Sequence, residues 1–108
     1  MPEIGDVIEL TTDISERNLR AGMRGTIVHC HNSMAYEIEF VNENGETMEL
    51  SALSVNQFII VWEVENRQWV PVREQLVALV KKLPETSVKE IFDFARFLSV
   101  HPLQKIAA

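Results

Sequence analysis

The sequence holds a single cysteine, Cys30, so no disulfide can form within the chain, and a reducing cytoplasm is its expected setting. Long apolar runs are missing too. Phe58 to Trp62, as long as any, has the length of a strand and falls far short of the roughly 18 residues a membrane span needs. The opening MPEIGDVIEL lacks a basic segment followed by an apolar run, so no secretory signal is expected. Basic residues are scarce in one half only. Residues 1–61 set ten acids against Arg17, Arg20 and Arg24, a net −7; residues 62–108 hold six acids and seven bases, a net +1. The sum is the −6 of the whole chain. So acidic a first half is poorly suited to gripping a phosphate backbone. No glycine-rich phosphate loop is present; Gly22 and Gly25 read as turn residues that lead a loop into the second strand.

What is present suits one ordinary domain, or a very small one with an appendage: 108 residues, 46 % hydrophobic and 24 % charged. DVIEL (6–10), GTIVHC (25–30), AYEIEFV (35–41), ETMEL (46–50) and FIIVW (58–62) read as strands. In the third, Tyr36, Ile38 and Phe40 alternate with Glu37 and Glu39, which predicts a buried and a solvated face. In the fourth, Met48 and Leu50 are expected inward. Asn44-Gly45 marks a hairpin turn with positive φ angles, and residues 51–57 suit a helical turn or bend. Five short strands with one long polar loop after the first predict a small SH3-like barrel over residues 3–62.

Residues 63–71 read as a linker, pinned to the barrel by Trp62 and Trp69 at its two ends. An α-helical hairpin is expected over 72–100. Pro71 suits a helix start, and apolar residues at 72, 76, 79, 80 and 83 keep helical spacing. Pro84 ends the first helix at Leu83. Ser87 reads as the N-cap of the second, with Glu90 as its capping-box partner, and Pro102 closes it. On a wheel of about 100° per residue, the apolar arc of the second helix spans roughly 200°, twice what a one-sided surface helix needs. Either the hairpin folds onto its own barrel or it covers another molecule, and the three phenylalanines Phe92, Phe94 and Phe97 favour the latter. The residues expected to bind a partner are Leu76, Leu79, Val80 and Leu83 on the first helix and Ile91, Phe94, Phe97 and Leu98 on the second.

Two stretches carry resemblances. GDVIEL, LRAGMRGTIVHC, AYEIEFVNENGET and LSVNQF, within residues 5–61, resemble a bacterial family of small SH3-like proteins, domain of unknown function 4926. AGMRGTIV is also similar to the glycine-bearing turn of KOW-type barrels. KKLPE and EIFDFARFL, within residues 73–100, resemble a second bacterial family, domain of unknown function 2281, whose members are often similar to antitoxin components of toxin–antitoxin pairs. Together these likenesses imply a small intracellular partner-binding protein without catalytic residues. The expected partner is a protein, toxin-like or an enzyme subunit, or a second copy of the chain; membrane is not expected.

Other clusters read as structural. His29 and His31 share a strand face, but no further ligand is placed beside them by spacing, so a metal is not expected. Cys30, pointing the other way, reads as a small buried residue rather than a nucleophile. Glu37 and Glu39 read as a solvated acidic face. His101 lies near a helix C-terminus, where positive charge is favourable. Arg17, Arg20 and Arg24 are the alternative: contact with RNA or the ribosome through the long loop, against ten acids and with no aromatic platform beside them. No cofactor is expected.

Overall fold

The computed structural model describes residues 1–101, and among these the chain forms one six-stranded antiparallel sheet followed by two helices. The strands are β1 (Val7–Leu10), β2 (Arg24–Asn32), β3 (Ala35–Val41), β4 (Thr47–Ser54), β5 (Phe58–Glu63) and β6 (Gln68–Trp69). Their order across the sheet is β4-β3-β2-β1-β5-β6. The expected five-stranded barrel is not formed: a sixth strand is added beyond β5, and the sheet is not closed edge to edge.

The sheet nevertheless curls hard. In its strand order β2 and β1 lie between β3 and β5, which in a flat sheet would separate those two strands by about 14 Å, three steps of ~4.8 Å. The rings of Tyr36 on β3 and Phe58 on β5 instead meet edge to face with centroids 6.1 Å apart. Register shifts in the β1–β5, β2–β3 and β3–β4 pairings provide bends of the kind that strand bulges introduce. The physical cause is coverage. Neither helix contributes a buried residue, so the apolar face of the sheet hides from water mainly by folding on itself. Ile8, Leu10, Ile27, Tyr36, Ile38, Phe40, Leu53 and Phe58 make that core, and Ile14 and Leu19 from the long loop join it. The loop holds them through reciprocal backbone bonds between Ile14 and Leu19 of 2.8 and 3.1 Å.

Several sequence expectations need correction. Residues 51–54 continue β4 instead of bending, and only Val55–Gln57 form a 3-10 turn, closed at its start by a capping box of Ser54 and Gln57. Met48 and Leu50 are not inward; both are exposed, while Ser51 and Leu53 are buried. The reason is register. Tyr36 pairs with Leu53, Ile38 with Ser51 and Glu39 with Leu50, so Leu50 shares the outer face with Glu39. Met48 is the extra residue between the Phe40–Glu49 and Val41–Thr47 pairs. Cys30 is exposed at the outer end of β2. Gly25 is no turn residue: it lies inside β2, paired with Ile8 and buried. In the β3–β4 turn only Gly45 takes a positive φ; Asn42 organises it by accepting the N–H groups of Asn44 and Glu46.

The stretch expected as a linker, 63–71, largely completes a further β-hairpin with β5. Trp62 pairs with Trp69 and Glu63 with Gln68, with Arg67 in the left-handed region at φ 50°. Trp62 is half-buried and Trp69 exposed, with the Arg24 guanidinium 5.2 Å above its ring.

Candidate functional site: the helical pair and the loop arginines

Both helices begin at prolines. Helix α1 spans Val72–Val80, three residues shorter than expected, with Pro71 at its N-cap position; α2 spans Glu85–Val100 with Pro84 there. Ser87 is therefore not the cap of α2, and Glu90 is not its capping partner. Proline fixes a φ suited to helix entry and has no N–H to leave unpaired, and the Pro84 carbonyl already accepts the N–H groups of Ser87 and Val88 at 3.0 Å. His101 terminates α2, its N–H bonded to the Phe97 carbonyl at 2.8 Å. Pro102 lies outside the described residues.

The pair is attached to the sheet along one side of α1, which lies against β5. Lys82 donates from Nζ to the Val55 carbonyl at 2.8 Å, and burial there lowers the pKa of its ammonium. Gln75 donates to the Val70 carbonyl at 2.9 Å. A groove of about 590 Å³ remains between α1 and the sheet, lined by Phe58, Ile59, Ala78 and Lys81 among others. The attachment does not draw the helices into the core. The Cα radius of gyration is 16.1 Å, against about 13 Å for a compact chain of this length.

Of the eight apolar residues singled out on the helices, none is buried. Leu76, Phe94 and Phe97 are exposed at 49, 57 and 50 %. Leu79, Val80, Leu83, Ile91 and Leu98 are half-buried. Val77 and Phe92, which were not singled out, are open to a similar degree. The Phe94 and Phe97 rings stack at 6.2 Å with 16° between their planes, and the His101 imidazole continues the row 4.9 Å beyond Phe97. Phe92 lies under the Arg96 guanidinium at 5.3 Å. The polar side of α2 is satisfied internally, with Asp93 paired to Lys89 at 3.2 Å and near Arg96 at 4.0 Å.

The three loop arginines are not gathered into one cationic patch. Arg17 bonds Glu49 at 2.8 Å, Arg24 bonds Glu9 at 3.2 Å, and Arg20 has no carboxylate partner among the described residues. Glu49 also accepts from the Ser51 hydroxyl at 2.7 Å. The Ser51 hydrogen bond first, and Arg17 second, hold the Glu49 carboxyl below its ordinary value of 4.5. A depressed carboxylate favours the fold above its unfolded pKa, and that contribution is lost as pH falls below 4.5 and through the folded value. Arg17→Ala and Ser51→Ala are each expected to move the Glu49 titration upward towards 4.5 in carboxyl-resolved NMR.

His29 and His31 meet edge to face at 4.9 Å, and His31 Nε2 lies 2.7 Å from Glu37 Oε1. Among the described residues, no group of three or more His, Cys, Asp or Glu side chains is placed to hold a metal. No helix among them is long and apolar enough to cross a membrane.

A curled antiparallel sheet with a closed core, bearing two helices with open apolar sides, defines a small domain built around a sheet rather than a helical bundle. The chain belongs to the family described as Domain of unknown function (DUF4926), which matches residues 4–60. The match covers β1 to the middle of β5 and leaves β6 and both helices outside it. Nothing in the comparison supports the likeness of residues 73–100 to a second family. No curated protein and no solved structure matches the chain.

Proposed function

We propose that the chain is a non-catalytic interaction module: the sheet is an SH3-like scaffold, and the two helices, which do not pack along each other as the expected hairpin, together cover an apolar surface on another protein. The observation that carries this is the contrast between the two halves. The sheet buries its large inward side chains almost completely, whereas α2 buries none and holds Phe92, Phe94 and Phe97 at half exposure or more. Aromatic side chains in such numbers on one short helix are what interface centres are made of. The long loop after β1 and the 3-10 turn before β5 support the SH3-like reading of the scaffold. The finer reading, a regulatory or antitoxin-like subunit that holds its partner by occlusion, rests on the sequence pattern of KKLPE and EIFDFARFL alone. Contact with nucleic acid through the loop is disfavoured, because Arg17 and Arg24 already face carboxylates.

The test is the double variant Phe94→Ser/Phe97→Ser. Both side chains are exposed and neither is part of the core. The variant is expected to lose association in size-exclusion chromatography and affinity capture, while its thermal midpoint stays within about 2 °C of the parent, as surface changes usually allow. If the variant still elutes with the same partner or as the same oligomer, the proposal is wrong.

A further inference from the structure

Glu90, Phe94, Phe97 and His101 follow one another at spacings of four, three and four residues. At about 100° per residue this sets Glu90, Phe94 and Phe97 on one strip of α2, roughly 60° wide, and His101, the residue that ends the helix, continues it beyond Phe97. The strip is open along its length: all four side chains are exposed, and the Phe94, Phe97 and His101 rings lie in a row. Neither Glu90 nor His101 has a side-chain hydrogen-bond or ion-pair partner among the described residues, whereas Lys89, Asp93 and Arg96 are paired within the helix.

The spacing is palindromic. A twofold axis crossing the helix midway between residues 95 and 96 carries position 94 onto 97 and position 90 onto 101. Self-complementary contacts of this kind define an isologous interface, in which every contact is made twice. A parallel pairing would instead set Glu90 against Glu90. We propose that α2 pairs antiparallel with α2 of a second copy of this chain, so that Phe94 packs on the partner's Phe97 and the Glu90 carboxylate accepts an N–H from the partner's His101. An imidazole has a ring N–H to donate in either protonation state. The four-three-four spacing is also that of a coiled-coil seam, which lets two helices stay in contact over several turns.

The two half-exposed phenylalanines bring about 100 Å² each, so with their rim residues the pairing falls in the small class of interfaces, under about 1,200 Å² in all. An interface of that size belongs to weak, reversible association.

The inference rests on the helices being an association surface, and the experiment separates the two. Sedimentation of the full chain over about 1–200 µM is expected to show a monomer–dimer equilibrium. Glu90→Lys and His101→Glu are each expected to weaken the dimer by about tenfold or more, and the double variant Glu90→Lys/His101→Glu to return to within about threefold of the parent, because the swapped pair is again complementary. Circular dichroism melts confirm that each variant is folded. A parent chain that is monomeric throughout, or a dimer indifferent to both single changes, overturns the proposal; so does a double variant weaker than either single one. If the parent is monomeric yet captures a protein that Phe94→Ser/Phe97→Ser cannot hold, the self-pairing falls while the association surface stands. If it does neither, both fall.

Discussion

Gly25→Val is expected to remove about 3 kcal/mol or more, over half of what holds a small domain folded. Gly25 lies within β2 and is buried. A Cβ built there would lie 2.6 Å from Ile38 Cγ2, 2.9 Å from the Glu39 carbonyl oxygen and 3.0 Å from Phe40 Cδ1. The carbonyl belongs to the neighbouring strand of the ladder and cannot retreat without breaking pairing. Ile38 and Phe40 are completely or almost completely buried, so they have no space to rotate into. Overpacking of a tight core typically costs about 1–3 kcal/mol per site, and a branched side chain pressed against backbone belongs at or beyond the top of that range. A small domain holds only about 5 kcal/mol or a little more in total. Gly22→Ala is the control. Gly22 has φ 94° but nothing within 4 Å of its would-be Cβ, so the change should cost only about 1–2 kcal/mol of backbone strain. Urea titrations of the two variants check the contrast; a Gly25→Val midpoint equal to or above that of Gly22→Ala would contradict this account of the β2–β3 contact.

Asp6→Ala is expected to cost about 3 kcal/mol, the sum of two hydrogen bonds to a charged acceptor. Asp6 is buried, yet its carboxylate is fully used: Oδ2 accepts the Glu3 N–H and Oδ1 the Val64 N–H, both at 2.9 Å. The second bond spans 58 positions of sequence and ties the entry of β1 to the β5–β6 turn. Alanine would leave two partly buried N–H groups without an acceptor, the expensive side of hydrogen-bond loss. Asp6→Asn keeps one acceptor oxygen and is expected to lose roughly half as much, about 1.5 kcal/mol. Urea unfolding monitored by Trp62 and Trp69 fluorescence would report both, since the turn lies between them. An Asp6→Ala variant within about 0.5 kcal/mol of the parent would show that these bonds exchange freely with water.

Much of the architecture was legible in the residues because it is local. Alternation in AYEIEFV placed Tyr36, Ile38 and Phe40 inward, and the structure buries all three. Helical spacing and two prolines placed α1 and α2 within a few residues of their bounds. The breadth of the apolar arc on α2 announced side chains that the chain leaves open. The misses share a different cause. In β4 a residue extra to the pairing reverses which side chains face inward, and nothing in ETMEL marks it. Cys30 looked like packing material on alternation alone, whereas the β2–β3 register shifts between Ile27 and His29, and Cys30 is exposed although it pairs with buried Tyr36. Ser87 looked like the N-cap of α2, with Glu90 as its capping-box partner, yet Pro84 starts the helix first.

By itself, then, the chain's pattern of apolar and polar residues determined which segments are strands and helices, which face of β3 is greasy, and how wide the oily side of α2 is. Those properties depend on neighbours a few positions apart, through side-chain periodicity and backbone preference. Tertiary structure alone decided that the sheet curls without closing, that residues 63–71 add a strand, that Gly25 is required by Ile38 and Glu39, and that Asp6 reaches Val64. Each of these joins residues distant in sequence, and strand register, bulges and close approach are set by the packing of both partners at once.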